Sequence, residues 1–387
     1  MSADALALYV HWPFCVSKCP YCDFNSHVRA DIDQEVWRDA LLADLTHEAE
    51  LLPGRKLTSI FFGGGTPSLM DPRAVEAVID AAVSQWTPAS NIEITLEANP
   101  NSVETARFAD LATAGVNRVS LGLQRFDDEG LAFLGRAHSA REGFAALETA
   151  QRHFRRVSFD LIYALPDETE DGWSAMLAQA LSLGTKHLSL YQLTIEPGTR
   201  FASMVARNEF GSLESDAAAA LYEITSAMAA QAGMPAYEIS NHARAGQESR
   251  HNLTYWRYGD YAGIGPGAHG RRLGMRTVRH RKPENFLSAV QRNGNGISEQ
   301  APVSPTEAAD EALVMGLRLT EGIDPQAIAE RFGLPSIVDW TRIERLVASG
   351  HLVRSETRLA LSATGRLLLD HILGEIAVTQ PNAFAAA

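Results

Sequence analysis

At 387 residues, with 47 Asp+Glu against 34 Lys+Arg and a formal net charge of −13, the chain is long enough for one large barrel and a smaller domain. The acidic excess repels phosphate backbones and anionic surfaces, so nucleic acid is not expected as a partner. No run approaches ~18 uninterrupted apolar residues and no basic segment precedes an apolar one at the start, so neither a spanning helix nor a secretory signal is expected and the expected location is the cytoplasm.

From residue 6 onward, short β-rich runs alternate with amphipathic ones. "LALYVHW" (6–12) reads as a strand, and "QEVWRDALLADLTHEAELL" (34–52), with apolar residues three and four apart, reads as a helix. Five further pairs follow: 57–62 with 72–86, 92–98 with 103–115, 118–124 with 140–154, 157–165 with 171–184, and 187–195 with 214–233. "AYEIS" (236–240) is a candidate further strand. The strands are rich in Val, Ile, Leu and Phe with little polar alternation, as a parallel sheet covered on both faces requires. Right-handed crossovers through helices then predict an α/β fold, a partial (β/α)6 TIM-like barrel.

The pattern changes between residues 280 and 305. After "QAPVSPTEAADE" (300–311) come three helical runs and "HLVRSETRLALSATG" (351–365), a hairpin with a polar tip, together a smaller, mostly helical, winged-helix-like domain. Docking or covering a site suits this domain better than binding DNA, because its wing "RSETR" is barely basic. The expected division is 1–240 for the barrel, 241–295 for a connecting segment and 296–387 for the C-terminal domain. A short alanine-rich tail is the only low-complexity tract.

In a β/α barrel the working residues sit at the strand ends. There the sequence places the loop holding Cys15, Cys19 and Cys22, the only cysteines in the chain, followed by "GGGTPS" (63–68), Glu97, Gln124 and Asp160. Three clustered thiols in a reducing compartment point to soft-metal chemistry. Two readings stay open: a zinc shell completed by His11 or His27, giving a zinc-stabilised β/α binding protein, and a cubane cluster whose fourth iron takes an outside ligand. The glycines let backbone N–H groups approach a small anionic or zwitterionic ligand, and Glu97, Asp160 and Gln124 can bond hydroxyls or an amine.

These strings carry a resemblance. "CVSKCPYC" followed by "GGGTPS" resembles the radical S-adenosylmethionine (radical-SAM) superfamily. "YVHWPFCVSKCPYCDFNS", "FFGGGTPSLM", "LEANP", "SLGLQRF", "LGRAHS", "FDLIYALP" and "RHNLTYWRYGDYAGIGPGAHG" resemble the group of oxygen-independent coproporphyrinogen III oxidases and HemW-type heme chaperones, from Tyr9 to about Gly270. The resemblance implies a radical-SAM core barrel with a [4Fe-4S] cluster on Cys15, Cys19 and Cys22 and S-adenosyl-L-methionine (SAM) on the fourth iron. Its contacts carry over to Tyr9, Gly64, Gly65, Thr66, Glu97, Gln124, Arg136 and Asp160.

Two positions divide the group. The oxidases carry a fourth Cys two residues after the third, where this chain has Phe24, so coproporphyrinogen oxidase activity is not expected; the chain also begins eight residues before Tyr9, as the chaperones do. "HNLTYW" (251–256) matches the chaperone signature H-N-x-x-Y-W, which implies heme as cargo with His251 as its ligand, since neutral imidazole suits heme iron. The expected function is a heme chaperone delivering to acceptor hemoproteins, membrane-associated respiratory proteins among them, with the cluster and SAM gating binding, transfer or homodimer formation. The alternative is an oxygen-independent coproporphyrinogen III oxidase.

Overall fold

The computed structural model describes residues 4–29 and 31–378, so the alanine-rich tail lies outside the described residues. Strands β1 (Ala5–Trp12), β2 (Lys56–Gly64), β3 (Thr87–Ala98), β4 (Arg118–Gln124), β5 (Arg156–Tyr163) and β6 (His187–Gln192) pair in succession, all parallel. β1 does not pair with β6, so the barrel stays partial. Helices α1 (Gln34–Leu51), α2 (Pro72–Gln85), α3 (Ala140–His153), α4 (Glu170–Ser182) and α5 (Ser215–Gln231) make most of the crossovers. The run 103–115, expected as one helix, breaks into Ser102–Thr105 and Phe108–Thr113. Its first turn is tied to the end of β3 by the buried Glu104 carboxylate, which accepts from Asn99 N–H at 2.6 Å and from the Ser68 hydroxyl.

The strands correct the expectation of little polar alternation. On β3, Ile94 and Leu96 join the apolar core, while Glu93, Thr95 and Glu97 alternate with them. Facing partners confirm a polar interior: Arg118 reaches Thr95 at 3.4 Å and the Ser120 hydroxyl donates to Asp160 at 3.2 Å. With period 2, one face of each strand seals against helices and the other is free to line a polar chamber. An interior that must receive a polar ligand cannot be filled with Leu and Val.

The sheet continues past both edges of the barrel. β7 (Asn241–Ala243) runs antiparallel to β6. It lies after the expected 236–240 because the Glu238 carboxylate accepts from Ser240 N–H (2.9 Å) and the Asn241 amide (2.6 Å), turning those residues before the strand begins. Helix α6 (Arg250–Trp256) follows, then β8 (Tyr261–Ile264), parallel to β1, and antiparallel β9 (His269–Arg272), β10 (Met275–Arg279) and, after helix α7 (Pro283–Asn293), β11 (Ile297–Pro302). Residues 241–295 therefore build much of the sheet's flank. That flank is bolted to α1 by a buried ionic nest: Arg279 reaches Glu48 at 2.6 Å and Asp44 at 3.3 Å, and Arg272 reaches Glu48 at 2.5 Å.

A second apolar core serves the C-terminal part. Helices α8 (Pro305–Leu317), α9 (Pro325–Phe332), α10 (Trp340–Ala348) and α11 (Leu369–Ile376) pack with the hairpin β12 (Leu352–Ser355) and β13 (Arg358–Leu361) around Leu313, Ile343, Leu359 and Leu373. Among the described residues no helix is long and apolar enough to cross a membrane.

Candidate functional site

The cysteine loop is rooted in aromatic packing. Trp12, Phe14 and Trp37 are nearly fully buried and meet edge to face, with Phe14 centred 5.1 Å from each of the other two rings. The glycine loop is stitched to the same root: Gly65 N–H donates to Trp12 O at 2.7 Å and Thr66 N–H to Phe14 O at 2.8 Å. A Cβ on Gly65 would stand 2.6 Å from the Phe14 carbonyl oxygen, and Gly64 adopts φ 108°, so close approach and backbone conformation both require glycine here. Strand-end geometry thus brings the two loops together over the barrel mouth.

One cavity gathers Cys15, Cys19 and Cys22 with Gly64, Gly65, Thr66, Glu97, Gln124, Arg136 and Asp160. Of the residues expected around SAM, only Tyr9 lies outside it. Sequence reading passed over Asn99, Ser120 and Gly122, which line the same cavity; Asn99 stands inside "LEANP", and its position next to a strand end was the available signal. The Arg136 guanidinium donates to Asn99 Oδ1 (2.5 Å) and Gly122 O (2.9 Å) and approaches Cys19 Sγ at 3.4 Å, while the Thr66 hydroxyl points at Cys15 Sγ from 3.4 Å.

The electrostatics fit a bound cluster and a zwitterion. Burial, with repulsion from the neighbouring thiols, raises Cys15 and Cys22 above the ordinary thiol range, so on their own they rest as neutral thiols and a bound metal must displace their protons. Burial and the nearby Asp160 push Glu97 up to about 8, and burial raises Asp160 as well. Gln124 holds φ 66° and its Oε1 is buried without a partner, as is Arg136 Nε. Strained backbone and orphaned polar atoms at one cavity mark a site shaped for something that bonds them. Among the described residues no three or more His, Cys, Asp or Glu side chains close on a single ion.

Tyr9 faces a second cavity of about 430 Å³ instead, together with His11, Phe61, Tyr255, Tyr261 and His269. Phe24, 60% exposed, lines both cavities, as do Gly64 and Glu97. The Tyr9 hydroxyl is hydrogen-bonded to His11 Nδ1 at 2.9 Å, and burial holds His11 down at about 4, hence neutral. His251 stands behind this wall, 1% exposed: Nδ1 bonds Ser59 Oγ at 3.0 Å, Nε2 bonds the Tyr255 hydroxyl, and the ring stacks on Phe61 at 4.9 Å. Burial, then Arg118, lowers it to about 3. Both of its nitrogens are engaged within the protein.

A family profile described as "Radical SAM superfamily" matches residues 9–180, and one described as "HemN C-terminal domain" matches residues 303–368. The chain is similar to the Bos taurus "Radical S-adenosyl methionine domain-containing protein 1, mitochondrial", at 38% identity over 94% of this chain and 82% of that protein. It is similar to the "Heme chaperone HemW" of Escherichia coli strain K12 at 37% identity over 95% of this chain and 97% of that protein. In fold it resembles the coproporphyrinogen III oxidase HemN of Escherichia coli, with a TM-score of 0.80 and 22% identity over 95% of this chain and 89% of that one.

Proposed function

The chain belongs to the radical-SAM superfamily, as a close relative of bacterial HemW- and HemN-type proteins, and we propose that it is a heme chaperone that binds heme and passes it to acceptor hemoproteins. Membership implies a [4Fe-4S] cluster and SAM; Cys15, Cys19 and Cys22 would hold the cluster, and Gly64, Gly65, Thr66, Glu97, Gln124, Arg136 and Asp160 would hold SAM. When bound, the pair supplies one-electron reducing chemistry. The protein's own part is to seat the ligand among fixed donors: Gly64 N–H, already aimed at Glu97 Oε2 at 3.2 Å, and the Arg136 guanidinium.

The carrying observation is the aromatic-walled cavity beside the cluster pocket, with Phe24 lining both at the position where the oxidase pattern has Cys. Apolar, π-faced walls suit a porphyrin. An exposed phenyl can pack against such a ring but cannot ligate iron or transfer a proton. Anaerobically reconstituted protein is expected to bind hemin saturably at one per chain and to leave coproporphyrinogen III unchanged in the presence of SAM and reductant. Turnover to the divinyl porphyrinogen would overturn the reading in favour of the oxidase.

A further inference from the structure

The second cavity contains one imidazole that is free to ligate. His269, the first residue of β9, is exposed at the cavity wall and makes no side-chain hydrogen bond to any described residue. Its backbone is rigidly seated: a Cβ on Gly263 of the neighbouring β8 would stand 1.8 Å from the His269 carbonyl oxygen, so the two backbones are in closest contact. Arg281, also exposed, lines the same cavity two residues beyond β10. Asn25 of the cysteine loop clamps this wall, its amide donating to Pro266 O and to Arg281 O, each at 2.9 Å. The cluster loop and the wall carrying His269 and Arg281 are thereby one connected unit.

Resting on the heme-chaperone reading above, we propose that this cavity is the heme seat, with His269 as axial ligand and Arg281 paired to a propionate, and that His251 is a positioning residue. Heme is a flat apolar ring with two carboxylates on one edge. Tyr9, Phe61, Tyr255 and Tyr261 supply the apolar faces, the exposed Arg281 guanidinium answers the carboxylates, and the unbonded imidazole of His269 answers the iron. His251 would have to break its bonds to Ser59 and Tyr255 to reach the metal, whereas its present bond to the Tyr255 hydroxyl fixes one wall of the seat. Burial and the nearby Arg281 lower His269, which keeps its imidazole neutral and able to donate a lone pair at pH 7.

The test is hemin titration of the anaerobically reconstituted full chain, read by Soret position and low-temperature EPR. His269→Ala is expected to weaken binding about tenfold or more and change the axial signature, and His269→Met to replace it with a thioether-type spectrum. Arg281→Gln is expected to weaken hemin but not its dimethyl ester. His251→Phe is expected to retain the wild-type axial signature, with affinity lowered only through the Tyr255 wall. If His269→Ala and His269→Met leave the spectrum unchanged while His251→Phe abolishes it, the assignment is overturned and the chaperone reading survives. If the wild-type chain takes up no hemin, both fail.

Discussion

Glu97 sets up a prediction about pH that needs no cofactor. Its carboxyl lies at the barrel mouth with Asp160 nearby, with Gly64 N–H donating to it and Arg118 the compensating cation; burial first, then Asp160, lifts it from 4.5 to about 8. At ~1.4 kcal/mol per pH unit, ionising it in place costs at most about 5 kcal/mol, which water in the two cavities it borders reduces to roughly 2–3 kcal/mol. A carboxyl raised on folding binds its proton more tightly in the folded chain, so stability is fully present below about 4.5 and declines as pH climbs to about 8. Glu97→Gln keeps the acceptor for Gly64 and removes the ionisation. In urea unfolding of the cluster-free protein at pH 5 and pH 9, wild type is expected to lose roughly 2–3 kcal/mol more than the variant between the two pH values. Parallel losses in the two proteins would refute the argument.

Three other outcomes follow from specific contacts. Arg279→Met, which strands Asp44 and Glu48 in the interior with Arg272 alone to answer them, is expected to cost roughly 3–5 kcal/mol in a denaturant melt. Cys19→Ala is expected to abolish stable iron and sulfide on chemical analysis while leaving the far-UV circular dichroism unchanged, because Cys19 is a partly exposed loop residue. Phe24→Cys restores the oxidase pattern at a 60% exposed position, so stability is expected to change by less than about 0.5 kcal/mol and coproporphyrinogen III to remain unconsumed.

The barrel was legible in the sequence because each strand seals one face with Ile, Leu, Val or Phe and each helix repeats its apolar stripe. The cysteine and glycine loops were legible because the chemistry demands those residue types close together. Less legible were the features made by distant pairing. The flank strands β8 to β11 are short, and their ionic nest joins Asp44 and Glu48 to arginines more than two hundred positions away, which no local period reveals. The same holds for Tyr9: its strand was evident, but only the sheet's extension by β8 builds the second cavity that it faces. His251 was singled out by its motif, yet its bonds to Ser59 and Tyr255 come from β2 and from the next turn of α6, so its buried setting emerges only in three dimensions.

The central claim is carriage of heme. The most direct measurement is a transfer experiment: hemin-loaded protein with its reconstituted cluster is mixed with an apo-hemoprotein acceptor, and the Soret bands of donor and acceptor are followed after rapid separation. Loss of heme from this chain with matching gain by the acceptor, faster than free hemin loads it, is the predicted result. Heme retained on the chain, or acquired by the acceptor only at the rate of free hemin, would contradict the account.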